Sequence, residues 1–172
     1  MNKLTTVLVP VVASTALILA AAGTAAAVPT DVTFTITGGA LSITAPVTST
    51  LPTAASGTAV QDIAGPLGNV TVSDLRGTAA GWVASVISTA FTPVTVPAIP
   101  ATAVDYTATP ATVTGLATVV GASRTGIVGV GPVQTATATG SNTATWNPTL
   151  TVHVPAGAQA GVYAATVTHT VA

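Results

Sequence analysis

The sequence predicts an all-β fold, a single antiparallel β-sandwich domain behind a cleaved signal peptide. Three observations carry this reading. Thr and Ala number 35 and 34 of the 172 residues, and Thr and Val lose χ1 freedom in helices and favour strands. Apolar residues recur with period two in many short runs. Glycine and proline, 16 and 12 residues, break those runs at short intervals, and no helical period intervenes.

Residues 1–27 read as a secretory signal. Lys3 and the amino terminus supply positive charge, Leu4 to Ala22 is apolar, and Ala25-Ala26-Ala27 gives the small-residue cleavage pattern. A membrane anchor is the alternative, but no basic stop-transfer flank follows. Cleavage after Ala27 leaves residues 28–172 as one domain, with four Asp, two Arg and no Lys, hence a net charge of −2. A chain of that length buries roughly two thirds of its surface on folding.

The elements follow in order. Val32, Phe34 and Ile36 alternate with Thr33, Thr35 and Thr37; Gly38-Gly39 breaks the run, and Leu41 and Ile43 resume it, which predicts a hairpin. Residues 57–63 form a weak strand, and residues 69–75 a clear one with Val70 and Val72 on one face. Residues 81–88 follow; Trp82, Ala84 and Val86 share one face and Val83, Ser85 and Ile87 the other, so this strand is placed centrally. Prolines 93, 97, 100 and 110 confine residues 92–111 to loop and edge strand, with residues 104–108 the best short strand. Residues 113–120 and 133–139 are strands separated by the glycine-rich stretch 121–131. Residues 144–154 are interrupted by Pro148, and residues 161–171 close the chain with Tyr163, Val167, His169 and Val171 on one face. The expected core includes Val70, Val72, Trp82, Val152, Tyr163 and Val167.

Composition excludes several function classes. Charged residues are 4% of the chain, against about 25% in an average soluble domain. Two Arg cannot displace the counterions that nucleic-acid binding requires. An absence of cysteine removes a disulfide framework, a thiolate metal site and a lipobox-type anchor. The Asp residues are scattered and Gly121-Ala122-Ser123-Arg124 does not form a nucleophile elbow, so no enzymatic activity is expected. A metal site would need His153 and His169 to share a face with an Asp; their parities differ, so no metal or other cofactor is expected. Residues 28–172 hold no lysine for an isopeptide staple and no second membrane span, and Leu51-Pro52-Thr53-Ala54 lacks the glycine of a sortase signal. Any attachment is non-covalent.

Two blocks carry a family resemblance. The first is Leu67-Gly68-Asn69-Val70-Thr71-Val72-Ser73-Asp74-Leu75-Arg76-Gly77 with Gly81-Trp82-Val83-Ala84. The second is Trp146-Asn147-Pro148-Thr149-Leu150, then Val154-Pro155-Ala156-Gly157, then residues 161–170 from Gly161 through Tyr163 to His169. This resembles the WxL domain of Gram-positive surface proteins, as a divergent member. The first motif reads Trp82-Val83-Ala84, and His169 and Val171 stand where the family carries Trp and Leu. The resemblance implies a secreted, β-rich protein that associates non-covalently with the cell wall, with peptidoglycan as ligand and the motif tryptophans as binding residues.

The candidate ligand-binding residues are therefore Trp82, Trp146, Asp74, Arg76 and His169. Each has a structural alternative. A tryptophan in a sandwich is more often core than sugar platform. Asp74 and Arg76 project to one side of an extended segment and read first as a pair that pins the turn before Trp82. His169, on an apolar face, is expected to be a half-buried neutral imidazole. Two functions stand at this stage. One is a non-catalytic cell-surface module whose partner is a cell-wall polymer or another surface protein. The alternative is a structural subunit that builds a surface layer or filament by self-association of its own strands, which the low charge and the abundance of Thr and Val fit.

Overall fold

The computed structural model describes residues 26–93 and 97–172. The chain divides into one unit ending at Thr35 and a second from Ile36 to Ala172. In the first, residues 26–35 form neither strand nor helix. The expected signal segment, apart from Ala26 and Ala27, falls outside the described residues.

The second unit is all β. Its strands are β1 (Leu41–Thr44), β2 (Gln61–Pro66), β3 (Val70–Asp74), β4 (Trp82–Ser88), β5 (Val104–Thr107), β6 (Thr112–Gly121), β7 (Gly131–Trp146), β8 (Thr149–Val154) and β9 (Val167–Val171). Every pairing is antiparallel. Six strands make one sheet in the order β1-β3-β7-β4-β9, with β6 also paired to β7; β2-β8-β5 make the second. Among the described residues no helix is long and apolar enough to cross a membrane.

Strand β7 organises the larger sheet. Its first six residues pair with β4, its last five pair with β3, and β6 pairs along most of its length. The register slips between Ala84 and Ser85 of β4, where Gln134 and Pro132 are the partners. Val133 is the extra residue, and an extra residue reverses side-chain parity. Val133 and Ala136, of opposite sequence parity, thus both turn inward; Val133 lies in one core, with Val86, Val104, Tyr106, Ile127, Leu150 and Val152. Ala136, Ala144 and Trp146 join another, with Val70, Val72, Trp82 and Ala84. The first core lies between the two sheets. The second lies within the curl of the larger sheet, where residues of β1, β6 and β9 pack around it. A second irregularity separates Gly115 from Ala117 of β6. Gly115 has φ +90°, and a Cβ there would run into the backbone of Ser141, so glycine is required.

Several sequence expectations change. Residues 31–37 do not form a hairpin with residues 41–43. Gly38-Gly39 is not a reversing turn but a close approach: Gly39 N–H donates to Leu75 O at 2.6 Å, and Leu75 N–H donates to Ala40 O at 3.0 Å. That contact steers Leu41–Thr44 onto β3 instead. Strand β4 is central by its neighbours, β7 and β9, but only its Trp82 face is buried; Val83 is 37% exposed. Residues 131–146 form one strand of 16 residues rather than two pieces, because Gly140, at φ +132°, absorbs the irregularity opposite Leu116. The last strand begins at Val167, preceded by an isolated bridge between Ala164 and Thr92. Val70, Val72, Trp82 and Val152 are buried as expected. Tyr163 and Val167 are half-buried and pack against the first core from outside it.

Candidate functional site

Three polar clusters and one open strand edge hold the chemistry-bearing residues. The first cluster starts at Asp74, the last residue of β3, whose side chain is 2% exposed. A buried carboxylate is tolerated only when paired and hydrogen-bonded. Arg76 supplies both: Nε donates to Oδ1 at 2.9 Å and Nη2 to Oδ2 at 2.9 Å. Arg76 N–H adds a third bond to Oδ1. These bonds, the Arg76 side chain first, hold the Asp74 carboxyl below its usual range. Nη2 of Arg76 also donates to Gly81 O at 2.9 Å, so the guanidinium ties the loop directly before Trp82. Trp82, 2% exposed, donates its indole N–H to Asn142 Oδ1 at 3.0 Å. Asn142, itself buried, donates onward to Gly140 O.

The second cluster is a buried relay. Trp146, 2% exposed, donates its indole N–H to the Tyr106 hydroxyl at 2.9 Å. The same hydroxyl lies 3.2 Å from His169 Nε2. Trp146 donates to the Tyr106 oxygen, and the single phenolic proton has Nε2 as its acceptor when His169 is the neutral tautomer protonated on Nδ1. Nδ1 is buried without a partner. Burial pushes the His169 pKa down, and it pushes the Tyr106 phenol up to about 12.

A third cluster lies on the smaller sheet. His153 Nδ1 is 2.6 Å from Asp62 Oδ1, and its Nε2 is 2.9 Å from Asp105 Oδ2. An imidazole that faces a carboxylate at both nitrogens is matched by the charged form, which alone has two N–H donors. The Asp105 and Asp62 carboxylates raise the His153 pKa, and His153 in turn lowers that of Asp105. One histidine thus ties β2, β8 and β5 across the sheet. Among the described residues, no group of three His, Asp or Glu could hold a metal ion.

The five candidates therefore fall into two places. Asp74, Arg76 and Trp82 come together, and Trp146 and His169 come together through Tyr106. In neither place is an indole face open to a sugar ring, because both tryptophans are core and both N–H groups bond internally. The ligand-binding reading of Trp82 and Trp146 is corrected on that ground, and Asp74 with Arg76 forms the turn-pinning pair. Sequence reasoning missed two residues. Tyr106 went unremarked although a tyrosine in a short strand usually needs a hydroxyl partner. His153 is the other: its parity gives no sign of a partner, and Asp62 stands directly opposite it in the β2–β8 register.

The open edge belongs to β6. This strand pairs only with β7 among the described residues. Leu116 and Val120 point outward, 73% and 64% exposed. A depression of about 380 Å³ lies beside them, lined by Leu116, Thr118, Thr137 and Thr139 among others. A larger open depression of about 610 Å³, between residues 56–58 and 157–160, is lined by no ionisable side chain. No family model, curated protein or solved structure matches the chain.

Proposed function

We propose that this protein is a secreted, non-catalytic structural subunit that assembles with copies of itself at a bacterial surface by β-strand addition. The observation that carries the reading is the β6 edge. It is ten residues long, holds no charge and no proline, and exposes Leu116 and Val120. Natural sheets blunt free edges with short strands, lysine, proline or inward charges. The other edge strands here follow that rule: β1 and β5 have four residues, β9 has five, and β2 ends in Pro66. Among the described edge strands, only β6 combines length with an uncharged, apolar rim, although its kink at Gly115 divides it.

A wall-binding module, the other reading, needs aromatic faces open to a glycan. The two indoles lie in the core, so that reading rests on the family resemblance alone. The full-length protein, purified without wall material, is tested by sedimentation velocity over a range of concentrations and by pelleting with purified peptidoglycan. A structural subunit forms growing assemblies without wall present. A protein that stays monomeric at every concentration yet pellets with peptidoglycan overturns the proposal.

A further inference from the structure

We infer that His153 is a proton-operated latch on strand β2: charged, it holds β2 to the smaller sheet, and on losing its proton it lets β2 go while keeping β5. The inference goes beyond the proposed assembly and does not depend on it. Strand β2 (Gln61–Pro66) is an edge strand that pairs only with β8 among the described residues. Neither hydrophobic core includes a residue of β2, whereas β8 supplies Leu150 and Val152, and β5 supplies Val104 and Tyr106. The far end of β2 is anchored just beyond Pro66: Leu67 packs against the first core, and its N–H donates to Pro148 O at 2.9 Å. The near end, residues 61–64, has the ladder to β8 and, among the described residues, one side-chain hydrogen bond, from Asp62 to His153. A strand with few buried apolar contacts opens locally before the rest of the fold.

The geometry selects which carboxylate is released. His153 Nδ1 lies 2.6 Å from Asp62 Oδ1 on β2, and Nε2 lies 2.9 Å from Asp105 Oδ2 on β5. Only the charged ring has a proton for both. The other ionisable groups nearby face elsewhere: Tyr106 turns into the first core, and the Arg124 guanidinium lies over Gly131 of β7. A neutral ring has one proton and one bare lone pair, and that lone pair repels a carboxylate oxygen at such a distance. Asp105 is the partner that is kept. Its side chain is 26% exposed against 61% for Asp62, and Gly126 N–H holds its Oδ1 at 3.0 Å. Asp62 has no second hydrogen bond among the described residues and turns readily to water. The proton therefore stays on Nε2, Nδ1 is bare, and the Gln61 end of β2 opens. Both carboxylates, Asp105 first, raise the pKa of the ring. The latch is thus closed below the ordinary value near 6.5 and opens as pH rises through the higher folded value.

Amide hydrogen exchange of the full-length protein at pH 6 and pH 9 tests the latch, with each amide expressed as protection relative to the unstructured chain at the same pH. Amides of residues 61–64 are expected to be less protected than the slowest amides of β3 and β7 at both pH values. Between pH 6 and pH 9 they are expected to lose protection by about two- to fivefold, the scale of an exposed charge pair. His153→Gln removes that pH dependence. Asp105→Asn separates a latch from a histidine that only adds stability. The new amide can donate to Nε2, which leaves the single proton of the neutral ring for Asp62. In that variant residues 61–64 keep at pH 9 the protection they have at pH 6. Thermal unfolding at pH 6 checks that both variants are folded. The inference is overturned by protection of residues 61–64 that does not change with pH in the native protein, or by a fall as large as the native one in His153→Gln or in Asp105→Asn. Exchange of residues 61–64 in step with the slowest amides of β3 and β7 also overturns it, because β2 then opens only with the whole protein.

Discussion

The Trp82 indole N–H and the Asn142 Oδ1 meet at 3.0 Å across β4 and β7, 60 residues apart in the chain and both buried. Asn142 is also the register partner of Asp74 on β3 and of Gly115 on β6. One amide therefore sits where three strands and the kink of the β6 edge converge. Trp82→Ala is expected to cost about 3–5 kcal/mol through the cavity it leaves. Asn142→Ala is expected to cost about 1–3 kcal/mol, because the indole N–H loses its acceptor in the interior. Denaturant unfolding of the two variants checks both values. A cost under about 1 kcal/mol for Trp82→Ala identifies an indole that is not packed.

Removing the two halves of the Asp74–Arg76 pair has unequal effects. Arg76→Met strands a carboxylate on a side chain that is 2% exposed, at a cost of about 3 kcal/mol. Asp74→Ala leaves an arginine side chain 29% exposed, which turns to water and costs less. The Asp74 pKa lies below its ordinary value. The carboxylate's contribution is thus complete above the unfolded value near 3.9 and is lost as pH falls through the lower folded value. Chemical unfolding between pH 2 and 6 is expected to show that acid limb in the native protein and a weaker one in Asp74→Asn.

The two histidines act in opposite directions. His169 titrates lower in the folded protein, so its contribution is held above the unfolded value near 6.5 and is lost as pH falls below it. His153 titrates higher, so its contribution is complete below about 6.5 and is lost as pH rises through the raised folded value. Thermal unfolding from pH 5 to 9 is expected to lose its acid-side slope in His169→Gln and its alkaline-side slope in His153→Gln. Unchanged profiles in both variants contradict the two assignments.

Much of the strand content was legible in the sequence because period-two alternation reports a half-buried face directly. It gave β3, β4, β5 and β6 within a residue or two. The same signal misled at residues 31–37, where alternation is strong but no partner strand exists among the described residues; periodicity states that a segment can be a strand, not what it pairs with. Parity puts His153 on the Thr151 side, away from Val152, as the structure has it, but it does not name a partner. Its face was readable, but the Asp62 and Asp105 side chains meet it only through the β2-β8-β5 order, which no local pattern encodes. The burial of both Val133 and Ala136 was also hidden, since it depends on one extra residue at Val133. The turn-pinning role of Asp74 and Arg76 was readable because both partners and the turn lie within eight residues.

Charging the β6 edge while sparing the core tests the central claim most directly. Leu116→Lys/Val120→Lys replaces two exposed side chains, so stability is expected to change by no more than about 0.5 kcal/mol per site. Lysine on an edge opposes strand addition. Sedimentation velocity of the full-length native protein and this variant, at matched concentration and without wall material, is expected to show large assemblies for the first and a folded monomer for the second. Assemblies of equal size from both proteins would contradict the account.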